Sequence, residues 1–194
     1  MQIFNLNGEV RRDVGKKATK ALRVNEKVPC VLYGGEQNIH FSATNRDLKK
    51  LLYTPHVYIV KLNLDGKECN AVMRDIQFHP VTDQALHIDF YQIFDDKPVV
   101  LEVPVKTEGF AVGVQAGGKL NLTTRKLKVK ALPKDMPDNL TIHVDHLGLG
   151  KAIKVKDLQF ENVEIVNARS VVVAQVKLTR AARAAAQQQQ TTGK

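Results

Sequence analysis

Apolar and polar residues alternate with a period of two over most of this chain, a pattern that predicts a mainly β protein with a few helices. Residues 2–10 alternate in this way and read as an opening strand, with Ile3, Phe4, Leu6 and Val10 as candidate core positions. Residues 16–27 change to helical spacing. Lys16, Lys20, Arg23 and Lys27 recur every three or four positions, and Ala18, Ala21 and Leu22 form a narrow apolar stripe. The pair Val28-Pro29 must leave that helix, because proline biases the residue before it away from the α region. Residues 30–33 then read as a buried strand that ends in a turn at Gly34-Gly35. Thr44 is a good N-cap for a second helix, with Asp47 at the third helical position and Leu48, Leu51 and Leu52 at helical spacing. Residues 57–64 and 67–78 flank Asp65-Gly66, a strong two-residue hairpin signal. After a turn at 80–84, ALHIDFYQIF puts Leu86, Ile88 and Phe90 on one face and His87, Asp89 and Tyr91 on the other. Asp75, Gln77 and His79 share a face of the preceding strand. Pairing the two strands would therefore gather a polar patch that contains Gln77, His87 and Asp89.

Asp95-Asp96-Lys97-Pro98 interrupts the pattern and marks a boundary between a domain of residues 1–95 and a second β block of residues 96–178. The second block opens with VVLEVPVKTEG, where Pro104 suggests an edge strand. In GFAVGVQAGGKL, Gly113, Gly118 and Lys119 satisfy most of the phosphate-loop pattern. Leu120, however, stands where a hydroxyl would hold magnesium, and no clear helix follows, so the glycines read as a loop doubling back between strands. RKLKVKAL alternates Leu127, Val129 and Ala131 with Lys126, Lys128 and Lys130, giving a three-lysine stripe on one sheet face. Further strands are expected at 140–144, 152–155, 163–166 and 171–178, which makes this half all-β. Residues 179–194 are rich in Ala and Gln with little to bury, and disorder is expected there.

Composition narrows the partners more than the fold. The chain of 194 residues carries 29 Lys and Arg against 20 Asp and Glu, a net charge of +9 that favours polyanions without choosing among RNA, DNA and acidic membranes. Its apolar runs are only strand-sized, and the N-terminal segment lacks the features of a signal peptide, so a cytoplasmic protein without a membrane span is expected. Cys30 and Cys69 form no CxxC pair and have no metal-ligand spacing, which favours reduced thiols over a disulfide or zinc site. His87 and Asp89 lack a third and fourth ligand, and no nucleophile, base and orienting group come together. Neither a metal, a cofactor nor an enzyme is expected. On spacing alone, solvated surface is the favoured reading of both the lysine-rich helix and the polar patch. The sharper alternative is that a cationic helix beside a strand presenting Tyr33 meets nucleic-acid backbone together with a sugar or base.

Four blocks in order, VRRDVGKKATKALR, KVPCVLYGG, DIQFHP and LHIDF, resemble the signature of the twenty-fifth large-subunit ribosomal protein of bacteria. That family binds 5S ribosomal RNA and includes the two-domain general stress proteins called Ctc. The resemblance implies a small antiparallel β-barrel with accessory helices at the N-terminus, followed by an optional second β domain, and the chain fits the longer form. It also implies a seat on an irregular internal loop of 5S RNA, where non-Watson–Crick pairs open edges that an A-form duplex hides. By the same resemblance, Arg11, Lys16, Lys20 and Arg23 would contact phosphates or groove edges, and Thr19 would bond to backbone. Tyr33 would touch a sugar or phosphate, and Gln77, His87 and Asp89 would form the second side of the contact. A carboxylate beside phosphate is unfavourable unless it accepts from a base amino group or orients His87, so Asp89 favours specific readout. Lys126, Lys128 and Lys130 would offer a second RNA surface. The implied setting is the large ribosomal subunit. The alternative is a stress-associated RNA or protein interaction module acting away from mature ribosomes.

Overall fold

Each period-two segment of the first half has one apolar face to cover, and six strands cover theirs by closing a barrel. In the computed structural model, which describes residues 2–54 and 56–179, these are β1 (Gln2–Val10), β2 (Lys27–Tyr33), β3 (Ile39–Thr44), β4 (Tyr58–Leu64), β5 (Lys67–Phe78) and β6 (Ala85–Gln92). They close in the order β1-β3-β2-β6-β5-β4. The barrel implied by the resemblance is present, and its β1–β3, β3–β2, β6–β5 and β5–β4 seams are antiparallel. The β2–β6 and β4–β1 seams run parallel. Alternation fixes which face points inward but carries no strand direction. A parallel seam arises from a long crossover, here β2, β3 and α2 between β1 and β4.

Leu6, Cys30, Leu32, Phe41, Val60, Leu62, Ile88 and Phe90 fill the barrel. Two of the expected β1 core positions differ: Ile3 is 59% exposed and Val10 44%. Ile3 is out of phase with Phe4 and Leu6 on the pleat, and Val10 is the last residue of the strand. Phe4 is half-buried and packs edge-on against Tyr58. The helix expected over 16–27 is shorter. Helix α1 spans Lys16–Val24, Asn25 caps it, Glu26 takes a positive φ of 55°, and Lys27 already belongs to β2, where its ammonium pairs with Glu9. Helix α2 (Asn45–Leu52) follows Thr44 and buries Leu48 and Leu51, as the spacing predicts. Asp65 and Gly66 both have positive φ at the β4–β5 hairpin.

The first compact unit runs to Val99 and takes in Leu132–Met136; the second begins at Val100. In the second half, β7 (Val99–Glu108), β9 (Lys126–Ala131), β10 (Leu140–His143) and β12 (Glu164–Ile165) form a sheet in the order β10-β7-β9-β12. β8 (Lys119–Leu122), β11 (Ala152–Lys154) and β13 (Val172–Lys177) form another, β11-β13-β8. Pro104 thus lies on an interior strand, not an edge. β7 tolerates it because the ladder with β10 begins only at Val105, so Pro104 owes that ladder no N–H. The phosphate-loop resemblance dissolves into packing. Lys119 opens β8 rather than a helix, α3 is a four-residue turn at Val112–Gln115, and a Cβ on Gly113 would lie 2.6 Å from the Gly148 carbonyl carbon. Among the described residues, no helix is long and apolar enough to cross a membrane. The expectation of a disordered tail falls almost wholly outside the described residues.

Candidate nucleic-acid interface

Helix α1 packs on β2, yet none of its residues is buried. Ala18, Thr19 and Leu22 are half-buried on its inner side, while Lys16, Lys20 and Arg23 are exposed; Ala21, expected in the stripe, is exposed as well. A helix so thinly seated needs tethers. Arg23 provides one by donating from Nε and Nη2 to the Leu86 carbonyl on β6, at 3.2 and 2.8 Å. Arg11 provides the other. Its Nη2 donates to Thr19 Oγ1 at 3.4 Å, and the Thr19 hydroxyl donates in turn to the Gly15 carbonyl at 3.0 Å. Arg11 therefore turns inward rather than outward, and its Nε and Nη1 are shielded from solvent without a hydrogen-bond partner among the described residues. The loop and helix enclose a shallow groove of about 500 Å³ lined by Arg12, Asp13, Val14, Gly15, Lys17, Ala18 and Ala21. Two cations that the spacing argument left out, Arg12 and Lys17, stand along it.

Beside α1 the outer face of β2, β6 and β5 carries the polar patch. The register sets Gln77 opposite His87 and Asp75 opposite Asp89 across β5–β6, and Tyr33 beside Tyr91 across β2–β6. Gln77, His87, Asp89 and Tyr33 are thereby brought to one surface. His79 leaves the patch: its Nδ1 accepts from the backbone N–H groups of Val81 and Thr82 at 3.3 Å and is spent on the turn. His87 Nδ1 donates to Asp89 Oδ1 at 2.8 Å, which fixes the imidazole and leaves Nε2 for an outside partner. Asp89 thus orients the His87 ring. Burial holds the Tyr33 phenol above its ordinary pKa, and the Asp89 carboxylate adds to the shift, so Tyr33 stays a neutral hydroxyl able to donate. Tyr33 and Tyr91 meet edge to face, 5.7 Å between ring centroids at 73°. Alternation along β6 puts Tyr91 on this face but does not tie it to the site. Only the parallel β2–β6 seam, which alternation cannot encode, brings it against Tyr33.

In the second unit, Lys126, Lys128 and Lys130 are exposed on β9 as the alternation predicts. Lys128 lies 3.9 Å from Glu102 and Lys130 3.8 Å from Glu164, so carboxylates accompany the stripe. Among the described residues, no group of three His, Cys, Asp or Glu could hold a metal ion.

Comparison with known proteins follows the same division. Residues 6–90 match the model of the Ribosomal L25p family, and residues 98–180 match that of the Ribosomal protein TL5, C-terminal domain. The large ribosomal subunit protein bL25 of Phocaeicola vulgatus is 56% identical over 193 residues, covering 96% of this chain and 98% of that protein. The bL25 of Bacteroides fragilis is 60% identical over 170 residues, 88% of this chain and 87% of the relative, and that of Porphyromonas gingivalis 49% over 192 residues, 98% and 100%. Matched in both parts and along nearly its whole length, the chain belongs to the Ribosomal L25p family, in the form that carries a TL5-type C-terminal domain.

Proposed function

We propose that this protein is a structural constituent of the large ribosomal subunit, that it binds 5S ribosomal RNA through its barrel, and that it works in the cytoplasm on the ribosome without catalysing a reaction. The observation that carries this reading is the strap from Arg23 to Leu86, which fixes a row of outward cations on α1 beside the oriented His87–Asp89 pair. Lys16 and Lys20, with Arg12 and Lys17 along the groove, neutralise phosphates and release counterions. Gln77, the His87 ring and the Tyr33 hydroxyl supply donors and acceptors at fixed positions, which suits an irregular RNA loop whose base edges are open. Thr19 and Arg11 position α1, and Arg11 keeps unmet donors for an RNA acceptor. The division of labour follows the sequence boundary, with residues 1–95 as the RNA-binding part and residues 96–178 as a second contact surface. In that second part the stripe of Lys126, Lys128 and Lys130 makes only a weak electrostatic contact, because Glu102 and Glu164 share its charge.

The test is affinity for 5S RNA across a salt series, set against an RNA whose internal loop is replaced by regular duplex. Charge attraction alone weakens equally for both as salt rises. A preference for the native loop that persists at high salt supports shape-specific recognition, and equal affinities would refute it.

A further inference from the structure

The outer face of the barrel continues past the His87–Asp89 pair, and what lies there is aromatic. Along β6 the outward row runs His87, Asp89, Tyr91, so Tyr91 stands about 7 Å beyond Asp89 on the same face. The parallel register puts Tyr33 at its side, and the two rings form a corner, one edge against the other's face. The turn behind them holds the corner in place. Gly34 has φ +95°, and a Cβ there would lie 2.6 Å from Tyr91 Cε2, so the ring rests directly on backbone. Neither ring serves the core. Leu32 and Phe90, the strand neighbours of Tyr33 and Tyr91, point inward and fill the barrel, while both tyrosines stay half-exposed. A bulge in β5 completes the arrangement: Met73 pairs with Phe90 and Asp75 with Asp89, so Arg74 is the extra residue and is exposed. Bulges commonly re-aim a side chain. Arg74 lies close enough to act electrostatically on the Tyr33 phenol.

We propose that Tyr91, Tyr33 and Arg74 form a subsite for a single nucleotide of the bound RNA, next to the groove edges contacted by His87 and Asp89. The aromatic corner takes the face of a base or ribose, and the guanidinium meets its phosphate. The inference rests on the RNA-binding reading above and extends it by one contact. Aromatic faces accept any base, so the subsite adds affinity and registers the RNA along the barrel without reading sequence.

The experiment uses the full chain with 5S RNA and the duplex-replaced RNA. Tyr91→Leu keeps an apolar side chain on Gly34 and is expected to weaken binding to 5S RNA at least about fivefold with an unchanged salt slope. Arg74→Ala is expected to reduce the slope of log affinity against log salt by about one. Tyr91→Trp gives an independent readout that does not depend on how Tyr91→Leu folds. The chain contains no other tryptophan, and stacking of a base on the indole quenches its emission when 5S RNA is added. Wild-type affinity of a folded Tyr91→Leu variant, or an indole emission that RNA leaves unchanged, overturns the subsite while the preference of the unsubstituted protein for native 5S RNA stands. If the unsubstituted protein itself shows no such preference, the RNA-binding reading fails first, and the two failures are distinct.

Discussion

Cys30 and Arg11 show what removal from water imposes on single residues. Burial pushes the Cys30 thiol up to about 12, because the thiolate would lose its water without gaining a cation strong enough to replace it. Cys30 should therefore resist alkylation in the native protein at pH 8, and half-buried Cys69, also raised by burial, should react first, as thiol titration of folded and unfolded chains would reveal. The sign for stability follows from linkage. The folded state holds the Cys30 proton after the unfolded state has released it, so this contribution is complete below the ordinary thiol value of 9.0 and is lost as pH rises toward about 12. In that window the unfolding free energy should fall by about 1.4 kcal/mol per pH unit more than in Cys30→Ala, measured by urea denaturation. Arg11 is the opposite case, a cation with two shielded donors unsatisfied. Such groups cost about 1–3 kcal/mol each when unpaired. Arg11→Met should change the unfolding free energy of the free protein by less than about 1 kcal/mol, because relief of the two unmet donors offsets the lost tether to Thr19, yet it should weaken the hold on 5S RNA. A loss of stability without loss of affinity would contradict that assignment.

At the scale of elements, α1 has little to hold it. It has no buried residue, no side-chain N-cap and no acidic residue in its first turn, whereas each barrel strand is paired on both sides. Its amides should exchange with solvent well before those of β2 or β6. Gly15, the N-cap, has an ordinary φ of −72°, and a Cβ there would meet nothing within 4 Å. Gly15→Ser should therefore stabilise the protein by about 0.5–1 kcal/mol, through a capping hydroxyl and a less flexible unfolded chain, visible as a raised Tm. Arg23→Ala should do the reverse, by about 1 kcal/mol, and Arg23→Lys should restore little, since an ammonium cannot reproduce the two-nitrogen grip on the Leu86 carbonyl. Much of this level is legible in sequence. Strands β1, β4, β5, β6 and β9 and helix α2 stand where alternation and capping put them, because each has a distinct apolar face. β3 was not legible: IHFSAT is short, and burial of Ser42 breaks its alternation. The end of α1 was missed because the spacing of Lys27 continues the helical period, whereas the pairing of Lys27 with Thr44 and Glu9 recruits it to β2.

For the whole molecule, a net charge of +9 matters less than where its partners lie. The cations of α1 face solvent, while Lys128 and Lys130 have Glu102 and Glu164 beside them. Replacing Lys16 and Lys20 by alanine should accordingly flatten the salt dependence of 5S RNA binding by about two units of slope, and replacing Lys126, Lys128 and Lys130 together by less than one. A larger effect from the second trio would make the second unit a principal RNA surface. Legible in the chain alone are the β character of both halves, the cationic helix, the outward face of His87 and Asp89 and, through four short blocks, the family. These depend on composition and on periods of two and 3.6, which are local properties of a chain. Tertiary structure alone decided which faces meet: the parallel β2–β6 seam that sets Tyr91 against Tyr33, the inward turn of Arg11, the strap from Arg23 to Leu86, and the carboxylates beside the lysine stripe. Register and strand direction join residues far apart in the chain, and they are fixed by closing the barrel and pairing the sheets rather than by any pattern within one segment.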